Sequence, residues 1–244
     1  MTNLTHDSIS LRGAGVVTIV QQKHGNRFTL DSLLLVDFCR IKSNDRILEP
    51  GAGSGVISLL LAKKFPKTSI VADEFEPHAY ELLNQNIEAN GLPGRILPGD
   101  RNIRYLNRSI AQESFDVIVA NPPYIKSGAG RQNPSRERLV ARQDLSAPIT
   151  VWLNLQRLLK NRGRYFLVFP ADRATELLTL LHKKKLEPKR LRFVHSYQNK
   201  PASLILVEAV KSAASGLVVM PPLIVHEKGG GYSDEMREIY GMSS

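Results

Sequence analysis

The residues Asn121-Pro122-Pro123-Tyr124 carry the strongest chemical signal in this sequence. They close an apolar run, Phe115–Tyr124, that reads as a buried strand, and prolines cannot continue a sheet ladder. A strand stopped this way leaves carbonyl oxygens free of neighbouring amide donors. The Asn121 side-chain carbonyl and the Pro122 backbone carbonyl could then each accept one hydrogen of an exocyclic amine. Such an amine is a poor nucleophile, because conjugation to a ring or carbonyl delocalises its lone pair. Two directed acceptors pull the nitrogen toward tetrahedral geometry and localise that pair. Catalysis of this kind is positioning plus oriented hydrogen bonds. Tyr124 could stack on a planar substrate group. Taken alone, these residues also read as a strand ending in a proline turn.

The segment upstream decides between the two. Glu49-Pro50-Gly51-Ala52-Gly53-Ser54-Gly55 follows one apolar strand and opens a helix. A dinucleotide fingerprint needs G-x-G-x-x-G, whereas here the third glycine, Gly55, comes one position early and Val56 follows. An acid, Glu49, leads the loop. A carboxylate at that place repels a phosphate and suits an ammonium, so the cofactor expected is S-adenosylmethionine. The next strand ends in Asp73-Glu74, about 20 residues on, where a carboxylate can bind ribose hydroxyls. Glu74 is the expected residue and Asp73 the alternative. Phe75 would lie beside the adenine ring. Asp100, after Gly99, could accept from the exocyclic amine of that ring. His24, His78, His182, His195 and His226 have no metal-ligand spacing, and the single Cys39 excludes a cysteine cluster, so no metal is expected.

The elements that position these groups alternate. Residues 1–30 read as short strands and turns, Val16–Gln22 most clearly, and Asp31 reads as the N-cap of an apolar helix. Strands at Asp45–Gly51, Thr68–Glu74, Gly94–Asp100 and Phe115–Tyr124 alternate with helices at Ser54–Lys64 and Pro77–Asn90. Residues 125–146 are a polar loop, Pro148–Lys160 and Asp172–Lys185 are helices, and Gly163–Pro170 lies between them as a strand. The last two strands, LRFVHSY and ASLILVEAV, are joined by QNKP, so they pair antiparallel. This alternation means a mostly parallel sheet with helices on both faces, with ligands beyond the carboxyl ends of the strands.

The chain has 244 residues, 33 Lys+Arg against 23 Asp+Glu, and a formal net charge of +10. That surplus suits a polyanionic partner, nucleic acid before membrane. Residues 126–142 hold Lys126, Arg131, Arg136, Arg138 and Arg142 against Glu137 alone, directly after the proline motif. Loop arginines there could grip phosphates and stack on bases. A second basic run covers Lys183–Arg192. The chain lacks an apolar run of the roughly 18–20 residues that span a bilayer. Its first residues do not read as a signal peptide, so a cytoplasmic protein is expected.

With the glycine loop and the proline motif together, the sequence resembles the Rossmann-like class of S-adenosylmethionine-dependent amino-methyltransferases, which modify adenine, cytosine or glutamine amides. Two flanking segments, Gly25–Leu35 and Pro221–Gly241, are similar to those of the bacterial tRNA1(Val) adenine N6-methyltransferase family. The resemblance runs from about residue 10 to 242 and departs from the family pattern at Ala141-Arg142-Gln143-Asp144. It implies a class I methyltransferase fold with a mostly parallel seven-stranded sheet, one strand antiparallel, and a small N-terminal β extension. That extension would be residues 1–30, packed on a methyltransferase domain of residues 31–244. It implies methyl transfer to N6 of an adenine beside the anticodon of a valine tRNA, with Phe28 and Thr29 lying over the cofactor. Two other readings stay open: a glutamine N5-methyltransferase acting on a release factor or ribosomal protein, and a non-catalytic RNA-binding relative.

Overall fold

The computed structural model describes residues 4–22, 30–123 and 147–242. A hairpin comes first, β1 (Leu4–Leu11) pairing antiparallel with β2 (Gly15–Gln22). Alternation along β2 buries Val17 and Ile19 and leaves Val16 and Thr18 exposed, as period-2 patterning requires of a one-sided strand. Helix α1 (Leu30–Phe38) follows, then β3 (Arg46–Pro50), α2 (Val56–Lys64), β4 (Ser69–Asp73), α3 (Pro77–Ala89), β5 (Ile96–Gly99), the single turn α4 (Leu106–Ser109) and β6 (Phe115–Ala120). Beyond residue 146 come α5 (Ile149–Asn154), β7 (Leu159–Pro170), α6 (Ala174–Lys183), β8 (Leu186–Tyr197), β9 (Ala202–Lys211), two short strands β10 (Val218–Val219) and β11 (Leu223–His226), and α7 (Asp234–Ile239).

The sheet order is β10-β8-β9-β7-β6-β3-β4-β5, with β11 also paired to β8. Strand β9 runs antiparallel to both its neighbours. The other pairings are parallel. The seven strands from β8 to β5 are the expected mixed sheet, and the tail adds β10 and β11 beyond β8. Its central strands are covered on both faces: Val117, Ile118, Val119 and Ala120 of β6 are fully buried, which explains a continuous apolar run where a one-sided strand would alternate. Helices α1 and α2 are buried almost all round, as helices between layers must be. Cys39, just past α1, is buried as a small core residue.

Several boundaries differ from the sequence expectation. Strand β7 begins at Leu159 and β8 at Leu186, four and five residues before the expected strands, and α6 begins at Ala174 after a 3₁₀ turn. Asp31 is not the N-cap of α1; it lies buried inside the first turn, because Leu30 is already helical. An acid is favoured both at the cap and in the first turn, so the same residue type fits either register. The expected helix Pro148–Lys160 stops at Asn154 and tightens into a 3₁₀ turn over Leu155–Leu158 before entering β7. Leu155, Leu158 and Leu159 have helical spacing, yet Leu159 pairs with Phe115 in the sheet.

The hairpin is clipped to the core by two asparagines one turn apart, Asn86 of α3 and Asn90 at its C-cap. Asn86 Oδ1 accepts from Val20 N at 2.7 Å and Asn86 Nδ2 donates to Val20 O at 2.8 Å. Asn90 repeats the pattern on Thr18, accepting at 3.1 Å and donating at 2.7 Å. Four helical residues rise about 6 Å and two strand residues about 6.7 Å, so the two side-chain amides imitate a neighbouring strand. The tail closes over the same hairpin. Arg12 N donates to Ile239 O at 2.9 Å, and Met236 and Ile239 of α7 are fully buried. Among the described residues no helix is long and apolar enough to cross a membrane.

Candidate active site

The register of the parallel strands brings the expected residues to one rim. Pro50 pairs with Asp73, and Asp73 pairs with Gly99. Leu48 pairs with Ile118, so two residues further on Pro50 is level with Ala120, and Gly51 with Asn121. The glycine loop, the acid pair Asp73-Glu74, the Gly99-Asp100 tip and the proline motif therefore leave the sheet side by side.

The loop turns through left-handed backbone at Gly51 (φ 65°), Gly53 (φ 56°) and Gly55 (φ 90°), which residues with a Cβ adopt only at a cost. A Cβ on Gly51 would stand 2.7 Å from Trp152 of α5, and one on Gly55 2.6 Å from Leu83 of α3. Gly53 meets nothing within 4 Å, so its backbone faces open space. Ala52 N is fastened to Asp73 O at 3.0 Å, and Asn86 Nδ2 holds Ser54 O at 2.9 Å.

Glu49 is buried at the end of β3 and accepts a hydrogen bond from the Ser58 hydroxyl of α2. Burial pushes its carboxyl up to about 8, a shift to which nearby Glu74 adds and which the Ser58 bonds oppose. Asp73 and Glu74 have separate jobs. Asp73 is buried and forms a bidentate pair with Arg101 at 2.6 and 2.9 Å, and burial still leaves its carboxyl above the usual range despite that guanidinium. Glu74 is only half-buried; its two oxygens accept from Gly53 N and Glu76 N, each at 2.8 Å. Glu74 thus stands on the open side with Gly53 and Ser54, in a small pocket of about 70 Å³ that Gln21 and Gln22 of β2 help to line. Phe75 is exposed to 52%, and Asp100 is exposed.

Asn121 is half-buried and its Nδ2 donates to Ser32 Oγ of α1 at 3.2 Å. Pro122 is buried and Pro123 exposed. Phe28, Thr29 and Tyr124 lie outside the described residues, as do Lys126, Arg131, Arg136, Arg138 and Arg142 of the basic loop.

The second basic run starts before the amino end of β8, at Lys183–Lys185, and continues up the strand. Arg192 pairs with Leu206 and that with Val168, so Arg192 is level with Asn121 and three strands to the side of it. Three of its cations are tied inward. Arg190 pairs with Glu208 at 2.5 Å and lies over the Phe38 ring. Arg192 pairs with Glu235 at 2.7 Å, and Lys189 donates to Ala214 O at 3.2 Å. A charge count along the chain cannot tell such internal partners from a solvated face. Among the described residues no group of His, Cys, Asp and Glu could hold a metal ion.

Four residues around the rim lie outside the motifs: Arg101, which occupies Asp73; Trp152, which abuts Gly51; Asn86, which holds the loop; and Ser32, which meets Asn121. The Asp100-Arg101 pair beside a buried acid, and two asparagines at helical spacing along α3 and its C-cap, are the patterns that mark two of them.

Known proteins share both the fold and the sequence. The methyltransferase small domain family matches residues 25–160. The tRNA1(Val) (adenine(37)-N6)-methyltransferase of Porphyromonas gingivalis is 32% identical over 193 residues, 77% of this chain and 75% of that one. The enzyme of the same name from Dyadobacter fermentans is 25% identical over 87% of this chain and 88% of that one. Among solved structures, a protein from Agrobacterium tumefaciens described as a predicted O-methyltransferase superposes with TM-score 0.70 at 17% identity, over 87% of this chain and 96% of that one. The 16S rRNA N2 G1207 methyltransferase of T. thermophilus, solved with AdoMet and guanosine, gives TM-score 0.60 at 21% identity, over 86% of this chain and 51% of that one. The structural likenesses speak for the class I methyltransferase fold, and the sequence matches go further: the chain belongs to the methyltransferase small domain family and, within it, to the tRNA1(Val) (adenine(37)-N6)-methyltransferases.

Proposed function

We infer that this chain transfers a methyl group from S-adenosylmethionine to the exocyclic N6 amine of an adenine in tRNA, the base beside the anticodon of a valine tRNA. The observation that carries this reading is Asn121-Pro122 at the tip of β6, level with the glycine loop, in a chain of this family. The substrate named for the relatives supplies the particular base.

The residues fit the cofactor. Glu49 is a buried carboxylate raised to about 8, and an ammonium is the charge that would bring it back down. The open backbone at Gly53 and the accessible carboxylate of Glu74 suit the uncharged middle of the molecule. Glu49 would hold the ammonium, Glu74 the ribose hydroxyls, and Asp100 with Phe75 the adenine; Gly51, Gly53 and Gly55 let the backbone come close. Phe28 and Thr29 would cover it. Bound, S-adenosylmethionine supplies an electrophilic methyl group on a positively charged sulfur.

The rest falls to the chain. Asn121 Oδ1 and the Pro122 carbonyl each accept one N6 hydrogen and so orient the nitrogen lone pair toward the methyl carbon. A nitrogen–carbon bond would form as the carbon–sulfur bond breaks, with the bonding pair left on the sulfur of departing S-adenosylhomocysteine. The nitrogen becomes cationic and only then acidic, so its proton is lost past Asn121 Oδ1 to water without a strong base. Pro123 stiffens the turn, and Tyr124 would stack on the target base. Lys126, Arg131, Arg136, Arg138 and Arg142 would hold the RNA backbone at the entrance, and a base in a tRNA loop can be splayed into the pocket at modest cost. The hairpin and the methyltransferase core act as one domain in the cytoplasm.

Asn121→Ala tests this assignment. It keeps cofactor affinity and lowers the rate of methyl transfer by on the order of 10²-fold or more, the loss expected for one oriented transition-state contact. Near-normal turnover in that variant, in a radiolabelled methyl-transfer assay, removes the role given to Asn121.

A further inference from the structure

An asparagine that is to accept an amine hydrogen must present its carbonyl, and its two amide arms differ only by a half-turn of the last torsion. Something has to choose between them. In this chain the Nδ2 arm of Asn121 is taken: it donates to Ser32 Oγ at 3.2 Å. The hydroxyl arrives from another element altogether, 89 residues earlier in the chain.

The fold makes this contact available. Helix α1 runs against the direction of the parallel strands. At its far end Phe38 O accepts from Arg190 of β8 at 2.8 Å, and the next residues bring Arg40 O to Arg164 of β7. Arg164 is level with Val117 near the start of β6, and Arg190 with Val119, both below the tip at Asn121. The first turn of α1 therefore reaches the carboxyl rim, where β6 ends. Ser32 is 6% exposed and its neighbours Leu33, Leu34 and Leu35 are buried in the core, so the hydroxyl is held by a packed helix rather than by a surface loop.

We propose that Ser32 is the positioning residue for Asn121: the hydrogen bond from Nδ2 to its hydroxyl holds the amide in the orientation that turns Oδ1 to the substrate amine. Ser32 touches no reacting atom. A side-chain amide inverted in the site would offer N–H donors to an amine that needs acceptors, and the lone pair would not be drawn out. This rests on the amine-accepting role of Asn121 inferred above.

Three variants separate the two claims: Ser32→Ala, Asn121→Ala and the double. Each is assayed for kcat and KM with tRNA and for cofactor affinity by calorimetry. Ser32→Ala lowers kcat about tenfold, the loss of one neutral hydrogen bond, with KM and cofactor affinity within about twofold of the parent. The double variant is no slower than Asn121→Ala alone, because Ser32 acts only through that amide. Turnover of Ser32→Ala within twofold of the parent overturns the proposal, and so does a tenfold loss that persists in the double variant. If Asn121→Ala itself turns over normally, the fault lies in the role of Asn121 and the proposal falls with it. If Asn121→Ala is impaired while Ser32→Ala is normal, only the proposal fails.

Discussion

A buried carboxylate keeps its proton far above the range of an exposed one, and Glu49 does so at about 8 against an ordinary 4.5. The sign of the consequence follows. Between about pH 4.5 and 8 the folded chain holds a proton that the unfolded chain has released, so Glu49 makes stability fall as pH rises through that window. Glu49→Gln removes this slope, and thermal melts of parent and variant compared from about pH 5 to 8 show the parent losing ground relative to the variant. Cofactor affinity moves the other way. Pairing with an ammonium needs the ionised form, so affinity climbs from about pH 6 toward 8 and levels as the cofactor's own α-amine loses its proton near 8. A pH-independent binding constant in the parent contradicts the assignment. At this scale the acid row was legible: glycines, Glu49, Asp73-Glu74 and Asp100 announce a strand-tip site by type and spacing. The sequence leaves Asp73 and Glu74 as alternatives for the ribose; Arg101 engages both oxygens of Asp73, which favours Glu74. The contact from Ser32 to Asn121 was not legible at all, because it joins residues 89 apart.

At the scale of elements, the site depends on how the hairpin and α3 grip the glycine loop. Asn86 serves three partners at once, Val20 N, Val20 O and Ser54 O, and is fully buried. Truncation leaves buried backbone groups unpaired at about 1–3 kcal/mol each. Asn86→Ala therefore lowers the melting temperature by several degrees and weakens cofactor binding in the same protein, measured by scanning calorimetry and titration. A variant as stable as the parent contradicts the clip. The alternation of strands and helices could be read from period-2 and period-3.6 patterning, including the antiparallel β8–β9 pair from its tight QNKP link. The end of α5 could not, because Leu155, Leu158 and Leu159 satisfy helical spacing while Leu159 belongs to the sheet. The short parallel strands β10 and β11 escape the same way: two and four residues are too few for a pattern.

The whole molecule carries a formal charge of +10, but the structure divides that surplus unequally. Arg190 and Arg192 are occupied by Glu208 and Glu235, and Lys183–Lys185 lie at or before the amino end of β8. The loop of residues 126–142, outside the described residues, follows the proline motif directly in the sequence and is the proposed source of cations for RNA. Five phosphate contacts to a single-stranded loop predict that tRNA affinity drops roughly 10²-fold between about 50 and 200 mM salt. Replacing Arg131, Arg136 and Arg138 by Ala flattens that slope, whereas replacing Lys183, Lys184 and Lys185 leaves it nearly unchanged. Equal effects of the two sets in a filter-binding titration would mean the charge acts as a diffuse field.

The central claim is the transfer of a methyl group to N6 of adenine in tRNA. It is tested most directly by incubating the purified protein with labelled S-adenosylmethionine and a mixture of total tRNA and total cell protein, then digesting both and resolving the products by mass spectrometry. The account predicts label as N6-methyladenosine in the tRNA fraction, in the anticodon loop of a valine tRNA. Label recovered as N5-methylglutamine in protein, with none in tRNA, would contradict it.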